Sequence, residues 1–109
     1  MQWGLTNRLA QIIKPHSNRT VMLAIDHGYF QGPTSGLEKP GETVRDLLPY
    51  CDALSPTKGV LEYCLDPKTA PPIILRVSGG NSMARREELS EEVLTCTIEQ
   101  ALALNAVAV

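Results

Sequence analysis

Apolar residues fall along the 109-residue chain in short runs separated by polar, glycine- and proline-bearing stretches. Leu5, Leu9, Ile12 and Ile13 recur at helical spacing. They predict a helix over residues 5–13, with Thr6 or Asn7 as N-cap and Pro15 as its stop. Residues 14–19 form a polar turn, and then Thr20-Val-Met-Leu-Ala-Ile25 runs unbroken for the length of a strand. Continuous apolarity, rather than alternation, predicts burial on both faces, as in the middle of a parallel sheet.

That run stops at Asp26-His27-Gly28, and residues 29–41 follow without periodicity, a loop long enough to imply function. Residues 42–50 predict a short helix with Val44, Leu47 and Leu48 facing inward. A brief apolar stretch, Ala53-Leu54, runs into Ser55-Pro56-Thr57-Lys58-Gly59, and residues 60–65 predict a second short helix. A connector with three prolines (66–72) leads to Ile73-Ile-Leu-Arg-Val77, a further strand ending in the small-residue loop Ser78-Gly79-Gly80-Asn81-Ser82. Residues 85–92 read as a solvated charged surface. Thr97-Ile-Glu-Gln100 has the spacing of a capping box opening a helix over 98–104, and Asn105 is suited to end it. Residues 106–109 begin another strand. Strand, loop and helix thus alternate, which implies an α/β fold with a parallel sheet and right-handed crossovers.

Composition narrows the class. Apolar residues make up 43% of the chain and aromatics only 5%, so the core is built of Ala, Val, Leu and Ile, as in buried parallel strands and the helices packed on them. Ten basic and twelve acidic side chains give a net charge of −2, which argues against a nucleic-acid or anionic-membrane partner. No apolar run approaches the ~20 residues of a bilayer span. Cys51, Cys64 and Cys96 form neither a Cys-x-x-Cys pair nor a set with histidines, so they read as reduced thiols. With no visible signal peptide, a cytoplasmic location is expected.

In parallel α/β folds the working residues lie just past the carboxyl ends of the strands. Three such ends are visible: Asp26-His27-Gly28, Thr57-Lys58-Gly59, and Arg76 with residues 78–82. Successive residues of an extended chain point to opposite sides, so one of Asp26 and His27 faces the sheet interior. An inward Asp26 suits proton transfer, or else caps nearby backbone amides. His27 is a second candidate, or a hydrogen-bonded structural residue. Lys58 carries an amine that could attack a ketone, or could simply face solvent or phosphate. Arg76 and Ser82 are candidate oxyanion or phosphate contacts, with Arg76 alternatively a salt-bridge partner. Ser78 and Asn81 are further candidate substrate contacts, and the glycine pair could bring backbone amides to a ligand or make a plain turn. Asp26 and His27 lack further ligands for a metal, so none is expected.

The run Thr20-Val-Met-Leu-Ala-Ile-Asp-His-Gly-Tyr-Phe-Gln-Gly-Pro-Thr-Ser-Gly-Leu-Glu38, with Thr57-x-Gly59, Leu75-Arg-Val-Ser-Gly-Gly-Asn-Ser82 and Ala103-Leu-Asn105 on to Val109, resembles the class I aldolases. The resemblance is to the deoxyribose-phosphate and archaeal-type fructose-bisphosphate aldolase superfamily, and within it to the autoinducer-2-processing thiolase branch. It implies a (βα)8 barrel in which residues 1–19 are a helical lead-in. Residues 20–109 would then be about three and a half βα units, breaking off in the fourth strand.

The resemblance further implies a phosphorylated keto substrate held as a lysine Schiff base, with Asp26 matching the strand-one aspartate that assists proton transfer. It implies no resident cofactor, coenzyme A as co-substrate in the thiolase branch, and a homo-oligomeric parent enzyme. The family's Schiff-base lysine lies on the sixth strand, and its phosphate-binding residues lie on the seventh and eighth. None of Lys14, Lys39, Lys58 and Lys68 matches that lysine, so the chain alone is expected to be inactive. The alternative expectation is a non-catalytic remnant, or a half-barrel needing a complementary C-terminal half.

Overall fold

The computed structural model describes residues 2–80 and 92–109. Helix α1 spans Trp3–Ile12 and starts two residues earlier than its apolar pattern suggests. Thr6 and Asn7 therefore lie inside it rather than at its N-cap. The Thr6 hydroxyl donates to the Gln2 carbonyl at 3.2 Å, and Asn7 Oδ1 accepts from Gln11 Nε2 at 3.1 Å. The apolar stripe mostly faces outward: Ile12 is buried, whereas Trp3, Leu5, Leu9 and Ile13 are exposed. Residues 14–19 make the expected turn, closed by the Lys14 amide on the Arg19 carbonyl. Asn18 takes the left-handed conformation (φ 53°) that its short polar side chain tolerates.

Strand β1, Met22–Ile25, pairs in parallel with β2, Ala53–Pro56, from Met22↔Ala53 to Ile25↔Pro56. The two differ in burial. Ala53, Leu54 and Pro56 are buried, but in β1 only Ile25 is, and Val21 and Met22 are more than half exposed. The expectation of a first strand covered on both sides is thus corrected. Strand β2 has neighbours on both edges, whereas β1 has β2 alone among the described residues.

On the far edge of β2, the Leu54 amide donates to Pro72 O, Ile74 N to Leu54 O, and Arg76 N to Pro56 O, all within 3.0 Å. Pro56 has no N–H to give, and at the end of β2 it needs only to accept. Residues 73–76 therefore run parallel to β2 through the bridges Leu54↔Ile73 and Thr57↔Arg76. Beyond them, Ala108 bridges Ile74 in parallel, with Leu75 N on Ala108 O at 2.9 Å. The strands expected over 73–77 and 106–109 are present as isolated parallel bridges rather than continuous ladders. Four extended segments thus lie side by side in chain order.

The connections are short helices set by local chemistry. Residues 29–41 are partly ordered by α2, Gly28–Gln31. Past it, Gly32 and Gly36 adopt positive φ, and Thr43 Oγ1 donates to the Gly36 carbonyl at 2.7 Å. The helix expected over 42–50 divides into α3, Pro40–Val44, and a 3-10 turn, Leu48–Tyr50. Pro49 cannot continue an α-helical hydrogen-bond ladder. Val44 and Leu48 face the core as expected, but Leu47 is exposed.

Helix α4, Lys58–Cys64, begins before the expected Val60, because Thr57 caps it by accepting from the Val60 amide at 3.2 Å. Gly41 lies so close to the Cys64 carbonyl that no side chain would fit between α3 and α4. Strands β3, Ser78–Gly79, and β4, Val93–Leu94, pair antiparallel, so residues 78 and 79 belong to a strand rather than to the expected loop.

Helix α5, Ile98–Ala103, carries the full capping box: Thr97 Oγ1 accepts from the Gln100 amide and Gln100 Oε1 from the Thr97 amide. Asn105 ends that helical stretch at φ 56°. The core joins Ile25, Val44, Leu54, Ile73, Leu75, Cys96 and Ala101. No helix among the described residues is long and apolar enough to cross a membrane.

Val21, Met22 and Val109 expose apolar side chains at the two outer segments of the sheet, and Trp3, Leu5 and Leu9 add more on α1. Apolar surface beside open strand edges favours association. The 109-residue polypeptide by itself is therefore expected to associate with rising concentration in sedimentation velocity. A monomer mass together with a sharp, reversible thermal transition would contradict this.

Candidate active site

The Ile25↔Pro56 pair ends the β1–β2 ladder, so Asp26 and Thr57 each lie one residue past it, and Thr57 bridges to Arg76 on the next segment. Three carboxyl ends of parallel segments thereby meet on one side of the sheet. Asp26 turns toward its neighbours, with its side chain 18% exposed and Oδ2 3.9 Å from Arg76 Nη1. His27 takes helical dihedrals as the residue before α2, so the alternation of an extended chain stops at Asp26. Its Nδ1 is buried with no hydrogen-bond partner among the described residues.

Arg76 is the hub. Its Nε donates to the Ser78 carbonyl at 2.7 Å and its Nη2 to Glu92 Oε1 at 2.8 Å. The guanidinium carbon sits 4.5 Å from the centre of the Phe30 ring, a cation–π contact. Ser78 contributes its hydroxyl as well, donating to Glu92 Oε2 at 2.8 Å. The structure thus brings Asp26, Arg76 and Ser78 together. Asn81, Ser82 and residues 85–91 lie outside the described residues.

Gly79 lies in strand β3 rather than in a plain turn. It packs against Tyr29, whose Cβ and Cγ would lie 3.1 Å from any Cβ added there. Glu92, placed with a solvated charged surface by its neighbours in sequence, is a bonded partner of Arg76 and Ser78. Phe30, over the Arg76 guanidinium, is not among the expected site residues. The usable signal is an aromatic in the loop after the first strand.

The lysines are dispersed. Lys14 Nζ donates to the Gln11 carbonyl ahead of β1, and Lys39 pairs with Glu42 at 3.5 Å on the surface. Lys68 is exposed in the turn after Asp66. Lys58 alone follows a strand end, as the first residue of α4. Among the described residues no three His, Cys, Asp or Glu side chains are grouped to hold a metal ion.

No family model matches the sequence. Relatives do match: the chain is similar in sequence to a thiolase and an aldolase, and in backbone to a Schiff-base-forming aldolase. Over all 109 residues it is 50% identical to the 3-hydroxy-5-phosphonooxypentane-2,4-dione thiolase of Klebsiella pneumoniae. It is 46% identical over 105 residues to an uncharacterized aldolase of Pasteurella multocida. In both cases it spans 36% of the relative's length. Its backbone matches a Schiff-base-forming fructose-1,6-bisphosphate aldolase with a TM-score of 0.73 and 26% identity, covering 94% of this chain and 41% of that one. An archaeal fructose 1,6-bisphosphate aldolase gives 0.69 at 24% identity, with the same coverage.

All three cysteines are free thiols: Cys64 exposed, Cys51 half-buried and Cys96 buried. Burial, reinforced by the neighbouring Asp52 charge, raises the Cys51 thiol above its ordinary range, which disfavours the reactive thiolate. At about pH 8, iodoacetamide is therefore expected to label Cys64 first, Cys51 more slowly and Cys96 last. Peptide mass mapping against time checks the order, and Cys51 reacting ahead of Cys64 would contradict it.

Proposed function

We propose that the chain forms part of an aldolase- or thiolase-type barrel that cleaves a carbon–carbon bond in a phosphorylated keto compound. Asp26 carries a proton at the mouth of that barrel. The observation behind this reading is the placement of the Asp26 carboxylate beside the Arg76 guanidinium, past the ends of parallel segments. It occurs in a chain half identical, along its whole length, to a phosphorylated-dione thiolase.

A lysine elsewhere in the barrel forms an iminium with the substrate ketone. The iminium takes up the electron pair of the adjacent carbon–carbon bond as it breaks. A carboxylate at the mouth then moves the proton that formation and breakdown of the enamine require. His27 lies next to Asp26 as the second proton carrier. Arg76 and Ser78 supply the polar wall against which the substrate sits, with Asn81 as a further contact. In the thiolase version the acetyl group passes to coenzyme A as co-substrate. No resident metal or cofactor enters this scheme.

Two measurements test the reading in a barrel completed by fusing this chain to the remaining length of the Klebsiella relative. With phosphorylated ketone and borohydride, the fusion is expected to be trapped covalently and the 109-residue chain alone is not. Asp26→Asn is expected to lower kcat by about 10²- to 10⁴-fold while trapping persists. Full turnover by that variant would remove Asp26 from the mechanism, and trapping by the chain alone would place the amine among its own four lysines. Product analysis with and without coenzyme A separates the two chemistries. The thiolase reading expects acetyl-coenzyme A, and a rate indifferent to coenzyme A favours the aldolase. A non-catalytic partial barrel instead expects neither trapping nor turnover in the fusion.

A further inference from the structure

The polar groups at the mouth are not equally engaged, and the difference assigns a role to a residue outside the expected site. Arg76 has two short bonds, to the Ser78 carbonyl (2.7 Å) and to Glu92 Oε1 (2.8 Å), and the Phe30 ring lies over its guanidinium carbon. Two bonds and a ring fix both the position and the plane of a guanidinium. Its remaining edge, Nη1, faces Asp26 Oδ2 at 3.9 Å, well beyond the ~2.7–2.9 Å of a charge-assisted hydrogen bond. Glu92 is itself pinned, because its second oxygen accepts from Ser78 Oγ at 2.8 Å. One carboxylate thus ties the arginine to the hairpin strand β3.

Asp26 and Glu92 are the acidic partners of Arg76 among the described residues. A guanidinium released by one is drawn to the other, and a two-bond fork closed on Asp26 would occupy the oxygens a proton carrier needs free. Glu92 is 43% exposed and Arg76 30%, so solvent screening leaves their pair little to contribute to stability. Their geometry matters more than their strength.

We propose that Glu92 is a positioning residue. It holds Arg76 with its third edge toward Asp26, near enough to attract the carboxylate and too far to bond it. This rests on the reading of Asp26 as a proton carrier. The further content is that a residue 16 positions from Arg76, on a segment not predicted to reach the mouth, sets how the acid is presented.

The test uses the same fused barrel, with kcat, KM and borohydride trapping measured together. Glu92→Gln keeps the shape and removes the charge. It is expected to lower kcat roughly 10- to 100-fold, with KM within about threefold of the parent and trapping intact. Glu92→Asp restores the charge and is expected to recover most of the rate. Arg76→Lys, which keeps charge but loses the fork, does not.

Unchanged kcat in Glu92→Gln would overturn the proposal, as would a rise in KM with kcat preserved, since that describes a substrate contact. If Glu92→Gln fails to fold, Ser78→Ala carries the test. It removes the hydroxyl that pins Glu92, and a kcat loss of about two- to fivefold with KM preserved is expected. An unchanged kcat, or a rise in KM with kcat preserved, as for loss of a substrate contact, overturns the proposal. Failure of the parent fusion to trap substrate counts against the Schiff-base reading itself, whereas trapping with an indifferent Glu92→Gln counts against this inference alone.

Discussion

The fold depends on β2 being hydrogen-bonded along both edges. Leu54, fully buried, receives β1 on one side and residues 73–76 on the other. A strand in that position must pair its backbone groups with protein, because no water reaches them. Both neighbours are thereby held parallel and in register. Everything at the mouth follows from this. The Ile25↔Pro56 and Thr57↔Arg76 pairings set how far Asp26 and Arg76 project past the sheet, and so whether they meet. Val44, Leu75 and Ala101 join Leu54 in the core.

On that platform, side-chain chemistry is layered. The apolar layer ends at Ile25 and Leu75, and the next residue of each segment is charged, Asp26 and Arg76 respectively. The β3–β4 pair lies against Tyr29 through Gly79 and delivers Glu92 to the arginine. Thr57, buried between these groups, turns its hydroxyl to the start of α4 instead of to the mouth. Polar residues at the same level of the sheet thus divide between holding helices and facing the open side.

Signals carried by adjacent residues were legible in the sequence, and signals carried by distant ones were not. The Thr97–Gln100 capping box and the Asn105 stop appear as the spacing predicts, since each is complete within one helical turn. The end of the first strand at Asp26 was equally plain. Burial of β1 was misread because an apolar run reports what a strand tolerates, whereas burial depends on what lies beside it. The Ser78–Gly79 strand was hidden because its partner lies beyond an intervening stretch of chain. Glu92 was hidden for the same reason: nothing about a glutamate among other charges shows that it closes on an arginine. Similarity to aldolases goes beyond what periodicity alone reaches, a parallel α/β chain.

The Arg76 hub also has a kinetic meaning. It joins Asp26 past the end of β1, Arg76 in the third extended segment and Glu92 just before β4. Contacts of that kind are gained only after loop-closure entropy has been spent, whereas capped helices such as α4 and α5 nucleate from neighbouring residues. By that measure the Asp26–Arg76 approach, which spans more of the chain than either the β1–β2 pairing or the Arg76–Glu92 bond, is expected to form after the capped helices.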